Sequence, residues 1–221
     1  MNIIDKFFVS TYERVAFKSY TLSKFIKADK YFRKILAIEP DRTGTCYNLG
    51  MVNYAMENYD EAEKYVELER ARLGDSYELC RALGDIYWSK KDQESASRFF
   101  KLAKNLAMSD KEKNLMTKKM GVCASEKSFK EALAAVETFA EADKLMADKK
   151  YDEAEKLYLE GIEKDPSNFF AINNLGVIAM NIRMDYDLAE KYFGMGDEIA
   201  NFQLIIDNMA SLAKLRKKTG R

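Results

Sequence analysis

The chain of 221 residues carries 36 basic and 36 acidic side chains, which gives it a formal net charge of zero at pH 7. Hydrophobic residues make up 47% and charged residues 33% of the chain, proportions typical of a folded protein with a charged surface. The balanced, interleaved charge argues against a nucleic-acid binder. No segment approaches the roughly 18 apolar residues of a membrane span, and the first residues lack a signal-peptide pattern. We therefore expect a cytoplasmic protein.

The residue types needed for common catalytic sites are missing. The chain has no histidine, which removes the usual general base and the commonest metal ligand. Its three cysteines, Cys46, Cys80 and Cys123, follow no metal-ligand spacing. No glycine-rich phosphate loop is present. We predict that the chain is not an enzyme and that it holds no metal or cofactor.

Two short patterns recur along the chain. The first reads NYDEAEKYVE from Asn58, KYDEAEKLYL from Lys150 and DYDLAEKYFG from Asp185. The second is a Leu-Gly pair in CYNLGMVNY, CRALGDIYW and INNLGVIAM. Both patterns fit a 34-residue frame with one interruption and one inserted residue near NIRMDYD. The blocks of this frame begin at Val9, Thr43, Tyr77, Ala135 and Phe169.

Each block has the apolar spacing of two amphipathic helices joined by a short polar turn. In the block from Tyr77 the small and apolar residues at helical intervals are Leu83, Gly84, Tyr87, Ala96, Phe100 and Ala103. The small members of this set let two helices approach closely while the bulky members fill the space between them. Pro40 and Pro166 fall at one repeat position, where a second helix must end.

This pattern resembles the tetratricopeptide repeat, whose signature is a large residue, then Leu-Gly, Tyr, Ala, Phe, Ala and Pro at these positions. The resemblance covers about three quarters of the chain. It implies an all-α fold, an α-solenoid of about five helix pairs and about twelve helices with capping helices and one break in phase. The match is strong in the blocks from Tyr77 and Phe169 and looser in the first. The chain departs from the signature at Glu69, Thr138 and Glu141.

The interruption spans Lys111–Ala134, which are 24 residues outside the frame. It predicts a helix with an apolar side made of Leu115, Met116, Met120 and Cys123. A long helix from about Phe129 to Lys149 should follow it. The first of these helices is either a cap on the preceding repeats or a degenerate fourth repeat, and we favour the cap.

The expected cap divides the chain into two modules. Residues 1–127 would hold three repeats and the capping helix, and residues 128–221 two repeats and a C-terminal capping helix. The C-terminal helix would pack through Phe202, Ile205, Met209 and Leu212. The last fourteen residues carry five basic side chains and no acidic one, which is typical of a solvated helix end, with contact to an anionic membrane or nucleic acid as the alternative.

Two further features fit the repeat frame. Cys46 and Cys80 occupy the same packing position in successive blocks, so we expect them to be buried and reduced. The recurring YDEAEKY pattern opens second helices. We interpret it as scaffold, with Asp at the helix N-terminus, Ala towards the partner helix, and Glu and Lys in water.

In the family that the chain resembles, first helices line a concave surface, and the matching positions predict a partner-binding site. These residues are Phe17, Tyr20, Tyr47, Asn48, Met51, Tyr54, Arg81, Asp85 and Trp88 in the first module, and Phe170, Asn173 and Met180 in the second. Tyr, Trp, Met and Arg are frequent in binding hot spots. In the alternative interpretation, helix pairs or the N-terminal segment cover these aromatic side chains.

The resemblance also bears on the ligand. Relatives that grip acidic chaperone tails use a basic and Asn clamp, and of the corresponding residues here only Asn48 fits it. We therefore expect an amphipathic helix or an extended apolar peptide of a protein partner, bound by an adaptor or assembly factor. The alternative is a structural scaffold that forms homo-oligomers through its groove or its ends. We expect no nucleic-acid partner.

Overall fold

The computed structural model describes residues 3–219, which fold into twelve α-helices and one π-helical turn without any β-strand. The helices are α1 (Ile3–Thr21), α2 (Phe25–Ile38), α3 (Thr45–Ala55), α4 (Tyr59–Leu73), α5 (Tyr77–Ser89), α6 (Gln93–Leu106), α7 (Asp110–Val122), α8 (Glu126–Ala147), α9 (Tyr151–Lys164), α10 (Phe169–Ile178), α11 (Tyr186–Asp197) and α12 (Gln203–Thr219), and the π turn spans Ala179–Arg183. The predicted all-α fold is confirmed. None of the helices between residues 3 and 219 is long and apolar enough to cross a membrane.

The contacts between residues divide the chain into two compact units, Met1–Leu106 and Ala107–Arg221. This division falls well before the boundary predicted between residues 127 and 128, and it groups α7 with the second unit. The independent folding of two modules therefore stays a prediction, for which fragments that end at Leu106 are as informative as fragments that end at Lys127.

The first unit consists of three helix pairs, α1 with α2, α3 with α4 and α5 with α6. The second helices α2 and α4 each pack on their own first helix and also on the first helix of the next pair. This is the nearest-neighbour stacking of an α-solenoid. Its core contains the buried side chains of Phe32, Leu49, Leu83 and Phe100, which lie at the apolar positions of the 34-residue frame.

The turn inside each of the five helix pairs contains a non-glycine residue in the left-handed conformation. These residues, with φ between 53° and 61°, are Ser23, Glu57, Lys91, Lys149 and Met184. A left-handed L-residue costs about 1–2 kcal/mol, so the helices on both sides of the turn must hold it in place. One backbone conformation thus recurs at every predicted helix–helix turn, including the turn of the block from Ala135.

Glu69 departs from the repeat signature because it takes part in the start of α3. Its side chain is 1% exposed, and its Oε1 accepts a hydrogen bond of 2.5 Å from the backbone N of Gly44. Gly44 precedes α3 and has a φ of 83°, a conformation that glycine adopts without strain. The carboxylate of Glu69 thus satisfies a donor at the helix N-terminus, as a capping side chain does elsewhere.

The second unit contains the pairs α8 with α9 and α10 with α11, followed by α12 on α11. Its first helix, α7, contacts the C-terminal end of α11. The Nζ of Lys111 lies 2.6 Å from Oδ1 of Asp197, and the side-chain amide of Asn114 donates to the carbonyl of Glu198 at 3.1 Å. The predicted apolar side of α7 has three buried side chains, Leu115, Met116 and Cys123, and one half-buried side chain, Met120.

The inserted residue near NIRMDYD is absorbed by the π turn that follows α10. In a π turn each carbonyl accepts a hydrogen bond from the N–H of the fifth residue along the chain. The hydrogen-bonded loop therefore contains one more residue than in an α-helix. Met184 then takes the left-handed conformation, and Asp185 begins the next helix by accepting a hydrogen bond from the backbone N of Leu188. The extra residue therefore leaves the pairing of α10 with α11 unchanged.

The recurring acidic pattern forms ion pairs with a cation about 30 residues further along the chain. Each cation meets both the Asp and the Glu of the pattern, and the three sets are Lys90 with Asp60 and Glu63, Arg183 with Asp152 and Glu155, and Arg216 with Asp187 and Glu190. We name each set an acid–cation clamp. The expectation that the glutamates stay in water is wrong for Glu63 and Glu155, whose side chains are half-buried. Exposed ion pairs of this kind contribute only about 0–1 kcal/mol each, so their main effect is on geometry.

The basic C-terminal segment contributes one cation to these clamps. The Nη2 of Arg216 on α12 lies 2.6 Å from Asp187 and 2.9 Å from Glu190. Gly220 and Arg221, which belong to the same basic segment, lie outside the described residues.

The thiols of Cys46, Cys80 and Cys123 are free and buried, as the sequence predicts for the first two. Burial raises the pKa of Cys80 to about 11, and it raises the pKa of Cys123 to about 11 as well. The neutral thiol is favoured because its anion would lose hydration inside the core.

We expect the free energy of unfolding to decrease as the pH rises from about 9 to about 11. Stability is full below the pKa of the unfolded thiols and is lost as the unfolded chain ionises first. Urea unfolding at stepped pH measures this effect. The double variant Cys80→Ala/Cys123→Ala serves as the control and should show a shallower pH dependence. An equal dependence in both proteins would contradict the assignment.

We expect Gly176→Ala to destabilise the second unit by about 1–3 kcal/mol, because the new Cβ would lie 2.4 Å from the buried ring of Phe193. Gly194→Ala on the partner helix is the matched control, since its Cβ meets no atom within 4 Å. That control should stabilise the helix by up to about 1 kcal/mol. Urea unfolding curves compare the two variants, and equal effects would mean that the close helix crossing is not required.

Candidate functional site

Seven of the predicted binding residues lie on α3 and α5, which are neighbouring first helices, and six of the seven share one side of these helices. We name this surface the α3–α5 face, and it consists of Tyr47, Met51, Tyr54, Arg81, Asp85 and Trp88, all half-buried. Their spacing along each helix is four and then three residues, which places them on one side. The other sides of both helices are filled by core residues such as Leu49 and Leu83.

Two polar contacts join the helices across this face. The hydroxyl oxygens of Tyr54 and Ser89 lie 3.0 Å apart. The guanidinium of Arg81 interacts electrostatically with the hydroxyl of Tyr47. The hydrogen bond with Ser89 restricts the rotamer of Tyr54 before any partner arrives.

The charges on this face balance each other. Burial alone would lower the pKa of Arg81, but the nearby Asp85 and the interaction with Tyr47 outweigh it and raise the pKa. Burial also raises the pKa of the Tyr47 hydroxyl, although the positive charge of Arg81 opposes that shift. Arg81 is therefore a permanent cation, and its buried Nε has no hydrogen-bond acceptor among the described residues.

Phe17 and Tyr20 contact the second helix of their own pair. The ring of Phe17 is 44% exposed and meets the buried Phe32 edge-on at 5.3 Å between centroids. Tyr20 is similarly exposed and meets Phe25 at 5.7 Å. Both residues lie on α1, the N-terminal helix, and both keep free surface.

The structure separates the three candidates of the second unit. Phe170 is 54% exposed and packs with Phe202 at 4.9 Å between ring centroids. Asn173 is 2% exposed, and its side-chain oxygen accepts a hydrogen bond of 2.8 Å from Asn208 on α12. Met180 lies in the π turn and is 6% exposed. Only Phe170 of this set offers open surface.

Two contacts were not predicted from the sequence, namely that of Ser89 with Tyr54 and that of Glu13 with Arg42. Ser89, the partner of Tyr54, occupies a position at which first helices line the concave surface in the related family, so the repeat frame contained a signal for it. Asn48 is half-buried on α3. Glu13, at a position of the basic chaperone clamp, instead pairs with Arg42 at 3.1 Å.

The site offers surface for recognition and no arrangement for metal chemistry. Within residues 3–219, no three His, Cys, Asp or Glu side chains are placed to hold a metal ion together. The α3–α5 face combines aromatic rings, a thioether, a cation and an anion, which suits contacts with apolar and polar groups of a polypeptide.

Comparison with known proteins agrees with the residue pattern. The family model described as tetratricopeptide repeat matches residues 43–68 and 77–107, which correspond to the blocks from Thr43 and Tyr77. These two segments match the tetratricopeptide repeat model, which confirms the predicted resemblance for the blocks from Thr43 and Tyr77. No curated protein sequence matches the chain.

Several solved structures are similar to this chain. TTC0263, a thermophilic TPR protein of Thermus thermophilus, is 14% identical, with 93% of this chain and 99% of that chain covered and a TM-score of 0.49. PilF of Pseudomonas aeruginosa is 13% identical, with coverages of 97% and 93% and a TM-score of 0.49. YrrB, described as a TPR protein with an unusual peptide-binding site, is 18% identical, with coverages of 90% and 90% and a TM-score of 0.45.

We expect Tyr47→Phe to destabilise the first unit by about 1 kcal/mol, because Arg81 would lose its electrostatic interaction with the Tyr47 hydroxyl in a half-buried position. Tyr20→Phe is the control, since that exposed hydroxyl is far less buried, and it should change stability by less than about 0.5 kcal/mol. Urea unfolding measures both variants. Equal stability of Tyr47→Phe and the natural chain would show that this interaction does not stabilise the unit.

Proposed function

We propose that this protein is a cytoplasmic adaptor or assembly factor that binds a peptide or helical segment of a partner protein on the α3–α5 face. One observation carries the proposal, namely that the aromatic and thioether side chains of this face remain half-exposed on helices whose other sides already fill the core. Repeat solenoids use such first-helix surfaces for recognition. The proposal assigns no catalytic role to any residue.

The chemistry of the face favours a segment with apolar side chains. Tyrosine and tryptophan bury large areas at low entropic cost, and both are enriched among the residues that dominate binding energy. Met51 adds a flexible, polarizable side chain that adapts to different shapes. The hydrogen bond between Tyr54 and Ser89 restricts the ring of Tyr54, which lowers the entropy lost on binding.

Arg81 and Asp85 supply the polar part of recognition. Their charges lie on the same helix, four residues apart, so the pair is neutral overall. A partner's main-chain carbonyl or carboxylate suits the guanidinium, and a main-chain N–H suits the carboxylate. Such contacts set the direction of a bound segment more than its affinity.

Trp88 is the only tryptophan of the chain, and it lies within the proposed site, so its fluorescence reports binding directly. Short random peptides displayed on phage would be selected against the full chain, and the selected peptides synthesised. We expect them to shift the emission of Trp88 on titration. A spectrum that stays constant while calorimetry shows binding would place the peptide elsewhere and overturn the proposal.

We expect Tyr54→Ala to weaken binding of the selected peptides by about 2 kcal/mol or more, because the variant removes a central aromatic contact. Leu68→Ala is the control, since Leu68 is an exposed apolar residue of α4 outside this face, and it should leave the affinity unchanged. Calorimetric titration measures both variants, and circular dichroism checks their helical content. Full affinity in Tyr54→Ala would contradict the site.

Self-association through the same face is the competing function. In that case the mass measured by sedimentation equilibrium would rise with protein concentration, and Tyr54→Ala would reduce the rise. If the measured mass stays that of a single chain at all protein concentrations, the result favours the adaptor function.

A further inference from the structure

Neighbouring repeats form a small cleft between the helix–helix turn of one pair and the end of the next first helix. In the second repeat this cleft is lined by Glu57, Asn58, Tyr59, Asp60, Glu61 and Lys90. Near the C-terminus the corresponding cleft is lined by Arg183, Met184, Asp185, Tyr186, Asp187 and Arg216. In both clefts an acid–cation clamp joins the two repeats along the edge of the cleft, so its lining carries paired charges.

The first repeat has the same cleft with a different lining. Its lining residues are Ser23, Lys24, Phe25, Ile26, Lys27, Lys30 and Met56, and its volume is about 780 Å³. Each position except Lys30 lies 34 residues before its counterpart in the next cleft. Ile26 therefore stands where Asp60 stands, and Met56 where Lys90 stands. The clamp is replaced by two apolar side chains that form no bridge.

This replacement leaves apolar surface open to solvent. Ile26 is 82% exposed, whereas Phe25 and Met56 are half-buried and form the recessed part of the lining. The neighbouring Leu22 is also exposed, with 54% of its surface free. A concentration of apolar surface in a concave site of this size is typical of a binding pocket.

The rim of the cleft is positively charged. Lys24, Lys27 and Lys30 line it, and none of these lysines forms an ion pair within residues 3–219. The acidic side chain on the same helix, Asp29, is occupied by Arg33 at 2.7 Å and by the amide of Asn53 at 3.1 Å. The cleft therefore combines an apolar floor with unpaired cations around it.

We propose that this first cleft is a second docking site, which binds an acidic amphipathic peptide of a partner protein. An apolar side chain of the peptide would pack between Ile26 and Met56, and carboxylates on either side of it would meet Lys24, Lys27 and Lys30. None of the lining residues belongs to the α3–α5 face, so the two sites are separate.

The recessed shape favours a peptide over a lipid surface. In two other repeats the corresponding cleft takes up a pair of charged side chains of the chain itself, so its width suits single side chains. A membrane-binding surface needs apolar groups that project from a flat or convex face, whereas Phe25 and Met56 lie within the cleft. Vesicles still serve as a probe, because lysines and apolar residues together also attract anionic lipids.

The test uses the full chain and two synthetic peptides, each labelled with fluorescein. One carries leucine and phenylalanine among aspartates and glutamates, and the other has lysines in place of every acid. We expect the acidic peptide to bind, with an affinity that falls as salt is added, and the basic peptide not to bind. Trp88 emission should remain constant in this titration, which separates the cleft from the α3–α5 face. Equal binding of both peptides would overturn the proposal.

The double variant Ile26→Asp/Met56→Lys installs the clamp that three other repeats carry and should fold as they do. We expect it to bind the acidic peptide about tenfold more weakly or worse, because the apolar floor is lost. Lys24→Glu/Lys27→Glu removes the charge without altering the floor and should also weaken binding by about tenfold or more. Leu68→Asp is the control on a different exposed apolar residue and should bind normally. Normal binding by both double variants would refute the site.

Two other outcomes would also overturn the proposal. In the first, vesicles of phosphatidylcholine and phosphatidylserine retain the natural chain but not Ile26→Asp/Met56→Lys, while the acidic peptide does not bind; the cleft would then be a membrane contact. In the second, sedimentation shows a dimer that the same variant dissociates, again without peptide binding. The occupant would then be a second copy of this chain.

Discussion

The close approach of the two helices in each pair is the constraint on which the fold depends. It requires a small residue at the crossing, which is glycine in four pairs and Ala16 in the first, and a larger group opposite. In three pairs the glycine lies on the first helix, and a Cβ there would come within 2.4 Å of the facing side chain; the contacts are Gly50 with Val66, Gly84 with Phe100 and Gly176 with Phe193. Side chains on the other faces of these helices pack against the neighbouring pair, so that one pair stacks on the next.

The pair formed by α8 and α9 keeps the constraint with the roles exchanged. Its glycine, Gly161, lies on the second helix, and a Cβ there would come within 2.3 Å of the ring of Phe139 on the first. The usual glycine position holds Ala142, which is fully buried. The sequence pattern is weak in this first helix because Glu141 and Thr138 occupy positions that the exchanged contact no longer needs. The repeat signature describes one arrangement of small and large residues at the helix crossing. A repeat that uses another arrangement therefore matches the signature poorly.

Properties set within one helix pair could be predicted from the sequence, and properties set between distant elements could not. The 34-residue frame predicted the helix pairs, the buried thiols and the extra residue that forms the π turn. It did not predict the contacts of α7, because the pairing of Lys111 with Asp197 joins residues with no relation in the frame. The same limit applied to the site. Spacing identified the positions on first helices, but the burial of Asn173 depends on a hydrogen bond from α12.

The repeated backbone also explains how one chain can carry different surfaces at equivalent places. The turn inside each helix pair has one residue in the left-handed conformation, so the side chains that follow it occupy equivalent places in each repeat. At three of these places an acid and a cation meet and join neighbouring repeats. Ion pairs that contribute about 0–1 kcal/mol can be replaced at little cost to stability. The presence of Ile26 and Met56 in place of Asp and Lys therefore leaves the fold intact, while it gives the cleft an apolar floor and a cationic rim instead of an ion pair. In such an array the weakest structural contacts are the positions most available for recognition.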